Sequence, residues 1–162
     1  MAVEMMSLLL AIPLLGVTTG LRSMTPMALI CWYAYFGYLP VDGTWAAWTA
    51  RLWVAIALTV LAVCELIADK LPRIPDRTSP GPLLVRLILA GMAGSIAAGG
   101  LNEPGLEGVL LCVLGALLGS FGGYMLRRDL VEKLDCKGWH VAVAEDLIAI
   151  LGAGFALHIV TG

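Results

Sequence analysis

The sequence predicts an all-α protein of the membrane, a polytopic bundle of transmembrane helices. Of its 162 residues, 60% are hydrophobic and only 14% are charged, whereas a soluble domain carries about 25% charged residues. Long apolar stretches recur along the whole chain, and the mean hydropathy is +0.92. We therefore expect a single integral membrane domain over residues 1–162.

Six apolar stretches divide the chain, at about 5–21, 24–39, 47–69, 83–101, 106–126 and 140–160. A membrane-spanning helix needs roughly 17–25 residues, so the last four stretches are long enough to span. The first two are minimal, but joined as one helix they would exceed about 50 Å at a rise of roughly 1.5 Å per residue. Met1–Glu4 lacks the basic region of a cleavable signal, so we expect the first stretch to be retained.

The first pair of stretches is predicted to be broken near Gly20–Thr25, with Arg22 between two apolar arms. Thr25-Pro26 is a helix-start signal, because threonine serves as an N-cap and proline suits the first helical position. The two arms are either short spans or a re-entrant hairpin. We therefore predict five to six apolar helices in total.

Basic residues concentrate at two connections. Around the third connection lie Lys70, Arg73, Arg77 and Arg86, and after the fifth stretch lie Arg127, Arg128, Lys133 and Lys137. The positive-inside rule places both connections in the cytoplasm. An interfacial aromatic belt is predicted around the opposite connection, formed by Trp32, Tyr33, Tyr35, Phe36, Tyr38, Trp45, Trp48 and Trp53. We expect a multi-pass protein of the cell inner membrane.

Charged residues inside or beside the apolar stretches are the candidate binding residues. An acid within a span costs roughly 2.5–3.5 kcal/mol on insertion scales, so it is expected to face the bundle interior. The natural partners of such an acid are the arginine of the break and the arginines of the fifth connection. The predicted site for an ion or small charged solute consists of Arg22, Glu65, Asp69, Glu145 and Asp146.

Two interpretations of these charges stay open. They either form a structural network that fixes helix register, since their signs nearly balance, or line a polar cavity that binds an ion, a proton or a charged headgroup. A second basic set has a similar ambiguity: Arg73, Arg77, Arg127 and Arg128. These four either contact anionic lipid headgroups or are ordinary topology charges, and the second interpretation is favoured.

Small residues recur at helical spacing in two stripes, which are Gly115, Gly119 and Gly123 on the fifth stretch, and Gly91, Ser95 and Gly99 on the fourth. Such stripes let membrane helices approach closely. Packing within the chain accounts for most of them. A homo-oligomer contact through one stripe is the sharper alternative.

Nothing in the sequence indicates catalytic chemistry. Cys136 and His140 are too few for a metal site, and neither a Ser-His-Asp arrangement nor an H-x-x-E-H motif is present. We predict no catalytic residue, no metal and no cofactor. Membrane lipids are the expected neighbours of the chain, and nucleic acid is not an expected partner.

Three stretches carry a family resemblance, namely Gly20-Leu21-Arg22-Ser23 with Pro26, the E-x-x-A-D-K-x-P run from Glu65 to Pro72, and Ala144-Glu145-Asp146. Together they resemble an uncharacterised bacterial inner-membrane family known only as a domain of unknown function. The resemblance implies a membrane location and no established activity.

The leading functional prediction is a small transporter or channel-like protein for an ion or small charged solute. The buried acids would bind the solute, and Arg22 would fix charge at the break. A structural or accessory membrane subunit without transport activity is the alternative. A lipid-handling enzyme ranks last, because neither a nucleophile nor a metal set is visible.

Overall fold

The computed structural model describes residues 2–68, 79–134 and 138–162. Within these ranges the chain forms α-helices and one short 3₁₀ helix and contains no strand. The α-helices are α1 (Ala2–Leu21), α2 (Met24–Tyr35), α3 (Leu52–Ala68), α4 (Pro80–Gly100), α5 (Gly105–Leu134) and α6 (Gly138–Thr161), and the 3₁₀ helix is Ala47–Ala50. The predicted all-α class and the broken first pair are confirmed.

The helices follow the apolar stretches closely. In the described part of the chain, three are long and apolar enough to cross a membrane, over Pro80–Gly100, Gly105–Glu132 and Trp139–Thr161, and shorter apolar helices lie at Leu9–Leu21 and Leu52–Ala68. The largest difference is at the end of α5, which extends past the apolar stretch to Leu134. Six of the eight residues of this extension are arginine, leucine, glutamate or lysine, which favour helix.

Helix α1 lies in the centre of the bundle, between α4, α5 and α6. Its contact with α5 is backbone to backbone, because Gly16 lies against the Cys112 carbonyl and Gly119 lies against the Val17 carbonyl. Residue numbers rise together along this contact, so α1 and α5 run parallel. Glycine is required here, since a methyl group at either position would overlap a carbonyl oxygen.

The glycine stripe of α5 is occupied within the chain. Gly115 lies against the Pro13 carbonyl, and Gly123 lies against the Leu21 side chain. In the stripe of α4, Gly91 faces valine side chains of α5, whereas Gly99 faces open space. Contacts inside one chain do not test self-association, so the homo-oligomer stays a prediction.

The chain reverses direction between α1 and α2. Helix α2 runs antiparallel to α3, where Trp32 Nε1 donates a hydrogen bond of 2.9 Å to Thr59 Oγ1. Leu39, just after α2, contacts the end of α4 at Gly100. The tip of the hairpin is buried, since Arg22 has an exposed fraction of 0%. The break is therefore enclosed by the bundle.

The start of α2 differs from the predicted one by two residues. Ser23 is the N-cap and Met24 is the first helical residue, so Thr25-Pro26 lies inside the first turn. The Ser23 side chain makes no capping bond to its own helix. A carboxylate from α3 supplies the cap, as described below.

The bundle has two chemically different ends. The aromatic end holds the connection between α2 and α3, where Trp32 and Phe36 stack with ring centroids 5.7 Å apart. Tyr38 joins the same group through its contact with Phe36. The opposite end, called the basic end, holds Arg22 and the cluster of charges around it.

The Trp32–Thr59 hydrogen bond gives a test of how α3 is held. Replacing Thr59 by valine keeps the shape of the side chain but removes the acceptor. We expect a loss of about 1 kcal/mol in the free energy of unfolding, the usual value for a hydrogen bond between helices. Thr59→Ser keeps the hydroxyl and should lose less. Equal losses in the two variants, measured by denaturant unfolding in micelles, would contradict this role.

Candidate functional site

The candidate site is the break itself, where the carbonyl end of α1 and the N–H end of α2 meet. A helix end leaves backbone groups without partners inside the helix. In an apolar bundle each unsatisfied group costs several kcal/mol. The groups that satisfy these two ends therefore define the chemistry of the site.

Arg86 satisfies the carbonyl end of α1. Its Nη1 donates to the Gly20 carbonyl, and also to the Leu21 carbonyl at 3.2 Å. Ser120 adds a hydrogen bond of 3.2 Å from Oγ to the Gly20 carbonyl. A cation at a helix C-terminus is favourable, because the carbonyl end carries partial negative charge. Only 6% of Arg86 is exposed, so this contact is deep in the bundle.

Glu65 satisfies the N–H end of α2. Its Oε1 accepts hydrogen bonds from the Ser23 amide at 3.0 Å and the Ser23 hydroxyl at 2.8 Å. Its Oε2 accepts one from the Met24 amide at 2.9 Å. A carboxylate is well suited to this position, because the first N–H groups of a helix carry partial positive charge. The capping group comes from another helix rather than from α2 itself.

The two capping side chains also face each other. Arg86 Nη2 lies 3.9 Å from Glu65 Oε1. Helices α3 and α4 therefore hold the break from both sides, one with a carboxylate and the other with a guanidinium. The positive Arg86 covers the partly negative carbonyl end of α1, and the negative Glu65 covers the partly positive N–H end of α2.

A second set of charges comes from α5 and α6. Arg22 pairs with Asp146, and both side chains are almost fully buried. Arg127 Nη1 lies 3.9 Å from Glu145 Oε2, with the arginine 31% exposed. The charge cluster described by the structure thus comprises Arg22, Glu65, Arg86, Arg127, Glu145 and Asp146. Its three arginines and three acids balance.

The structure brings together four of the five predicted solute-binding residues: Arg22, Glu65, Glu145 and Asp146. Asp69 lies outside the described residues, as do Arg73 and Arg77. Of the other predicted lipid or topology arginines, Arg127 contacts Glu145 and Arg128 is exposed. Asp146 pairs with the arginine of the break and Glu145 with an arginine of the fifth connection, whereas Glu65 pairs with Arg86 of α4.

Arg86 is grouped from sequence with the basic connection, but the structure buries it against α1. A signal for this was present, since Arg86 lies inside the apolar stretch 83–101. An arginine within a span is expected to face the bundle interior for the same reason as an acid. Ser23 and Ser120 are also absent from the predicted site. Short hydroxyl side chains give no comparable signal.

An apolar cavity of about 220 Å³ opens at the aromatic end. Its wall combines the connection after α2 with α4, through Trp45, Ser95 and Ile96 among others. Ser95 is about 14 Å along α4 from Arg86, at a rise of about 1.5 Å per residue. The cavity is therefore separate from the charge cluster.

The helical fold and its long apolar helices define an all-helical membrane protein. The chain belongs to the family described as a domain of unknown function, DUF4126, whose model matches residues 8–160. This confirms the family type indicated by the sequence. Searches of curated proteins and of solved structures find no match to the chain.

Proposed function

We propose that this chain is a multi-pass protein of the cell inner membrane that transports or conducts an ion or small charged solute. The observation that carries the proposal is the break between α1 and α2, a pair of helix ends buried in the bundle and covered by Arg86 and Glu65. Transporters commonly build their ion and substrate sites at the ends of such discontinuous helices.

The depth of the break supports this proposal. Arg86 is about 21 Å along α4 from Gly100, the last residue of that helix, at a rise of about 1.5 Å per residue. The apolar core of a bilayer is about 30 Å thick. With the aromatic end at one interface, the break lies about two-thirds of the way across the apolar layer. Irregular backbone at that depth is tolerated only inside protein or beside a water-filled cavity.

The orientation follows from the charges. The basic end carries the exposed Arg128 beside the buried cluster, and the positive-inside rule assigns such an end to the cytoplasm. The aromatic end then lies at the outer surface of the membrane. In this orientation the solute-binding charges lie nearer the cytoplasm, and the apolar cavity lies in the outer half.

Flux through purified protein tests the transport proposal. The protein is reconstituted in vesicles that contain a pH-sensitive dye, and a potassium–valinomycin potential is imposed with chloride, nitrate or formate as the anion. The dye follows proton movement, and an ion-selective electrode follows release of the anion. We expect ion-dependent proton or charge movement above that of protein-free vesicles. Glu65→Gln should reduce it to background, because the amide keeps the shape but cannot exchange a charge.

The matched control is Glu107→Gln, an exposed acid in the first turn of α5. It should leave the flux unchanged, and both variants should elute from a sizing column as folded protein. Full flux in Glu65→Gln would sink the assigned role of this residue. Vesicles that stay silent under every gradient would sink the transport proposal.

A structural or accessory subunit is the second candidate, and one observation favours it. Each acid in the charge cluster contacts an arginine of the same cluster, which is the pattern of a network that fixes helix positions. A subunit of this kind should co-purify with a partner protein in mild detergent and show no flux by itself. The flux measurement above separates the two candidates.

A further inference from the structure

We propose that the start of α2 is a binding site for a small monovalent anion and that the Glu65 carboxylate occupies it in this structure. The inference deepens the proposed transport function, on which it rests, by naming the class of solute. Glu65 would act as an internal substitute for the anion, leaving when the solute arrives.

The geometry around the carboxylate is that of an anion site. Three donors converge on it, the amide and hydroxyl of Ser23 and the amide of Met24, at 2.8–3.0 Å. Two of these donors are backbone N–H groups at a helix start, where anions bind readily. The same three hydrogen bonds can be donated to a free carboxylate, because they are made to the carboxylate oxygens alone.

Two further observations extend the site beyond a helix end. Arg86 is buried and lies 3.9 Å from the same Glu65 oxygen, so a full positive charge stays beside the donors when Glu65 leaves. Thr25, on the same first turn, is 7% exposed, and its buried hydroxyl has no hydrogen-bond partner among the described residues. A buried hydroxyl on this turn is thus available as a further donor.

The position of Glu65 allows the exchange. It lies in the last turn of α3, a helix that packs mainly against α2 and the 3₁₀ helix in the described chain. Its side chain is 18% exposed, so a change of rotamer can withdraw the carboxylate without moving α2. The arriving anion then replaces the three hydrogen bonds that Glu65 gives up.

Size and charge narrow the class of ligand. The space that Glu65 vacates is that of one carboxylate group, and among the described residues one cation, Arg86, lies beside it. A single negative charge is thus the best match, since excess buried charge is costly. Formate, chloride and nitrate fit this description, whereas gluconate is too large.

Chemical rescue tests the inference. Glu65→Ala empties the site and should lower the melting temperature in sodium gluconate. Sodium formate at equal ionic strength should restore most of the loss in a saturable manner, with chloride and nitrate also effective. Glu65→Gln is the matched control, because its amide oxygen still fills the site, and formate should not shift it. Adding Ser23→Ala to Glu65→Ala should weaken the rescue by removing one donor.

The outcomes separate this inference from the transport proposal. Equal effects of formate and gluconate on Glu65→Ala would overturn the anion site, even if the vesicles conduct ions. If Glu65→Ala folds in sodium formate but not in sodium gluconate, that difference is itself the rescue. If the variant fails to fold in both buffers, the anion site is overturned. If phosphatidylglycerol in the micelles restores the melting temperature of Glu65→Ala and formate does not, the small-anion site is also overturned. That result indicates that the site binds a lipid headgroup. Rescue without any flux supports the site and sinks transport.

Discussion

Replacing Gly119 by alanine is expected to destabilise the bundle by about 3 kcal/mol or more, at the upper end of the range for overpacked cores. The added methyl group would overlap the Val17 carbonyl of α1. A backbone oxygen cannot turn aside as the tip of a side chain can, so α1 and α5 must separate along their contact. The free energy of unfolding in mixed micelles, followed by circular dichroism, measures the loss.

Gly122 provides the control on the same helix. It is exposed and has no atom within 4 Å of the position that a Cβ would take. Alanine there should be neutral or stabilising by up to about 1 kcal/mol, the difference in helix propensity. The two substitutions are chemically identical, and only the one at Gly119 should destabilise the bundle. Similar losses at both positions would refute the close contact of α1 with α5.

Replacing Asp146 by asparagine is expected to cost about 3–5 kcal/mol, the usual loss when one member of a buried ion pair is removed. The reason is the partner that stays behind, since Arg22 has an exposed fraction of 0%. Without the carboxylate, its charge is held in a medium that solvates it poorly. Glu107→Gln, at an exposed position, should change the stability by less than about 0.5 kcal/mol.

A double-mutant cycle separates the pair from its surroundings. Arg22→Met combined with Asp146→Leu should be less destabilising than Asp146→Asn alone, because the double variant removes both buried charges of the pair. Losses that simply add in the double variant would show that Arg22 and Asp146 do not depend on each other.

The break was accessible from the sequence because it leaves local signals. Gly20–Thr25 separates two apolar arms, and one continuous helix across it would be too long for a membrane. Periodicity and composition also predict where α4 and α6 lie, to within about three residues. These features depend only on residues that are close together in the chain, so they can be predicted from a single sequence.

The pairing of charges was not accessible in the same way. Glu145 and Asp146 are adjacent in the chain and differ by about 100° around the helix axis. Asp146 faces Arg22, whereas Glu145 faces Arg127. The rotation of α6 makes this choice, and packing against α1 sets that rotation. Local sequence therefore predicts that an acid meets Arg22 but not which acid.

The capping of the break was inaccessible for a related reason. Glu65 caps α2 from a different helix, so the pattern of a local N-cap at Thr25-Pro26 pointed two residues too far along the chain. Arg86 reaches the Gly20 carbonyl only because α4 crosses the end of α1. Contacts of this kind join residues of different helices at no fixed spacing in the sequence, so sequence patterns do not predict them.

The long separation between Arg22 and Asp146 has a consequence for biosynthesis. At about 5–20 residues per second, the ribosome adds Asp146 roughly 6–25 s after Arg22. During that interval the nascent chain holds an arginine at the end of its first helix without its acid. A chain truncated before α6 would never form this ion pair. Completion of the last helix is then the step at which the first helix gains the Asp146 carboxylate beside its Arg22.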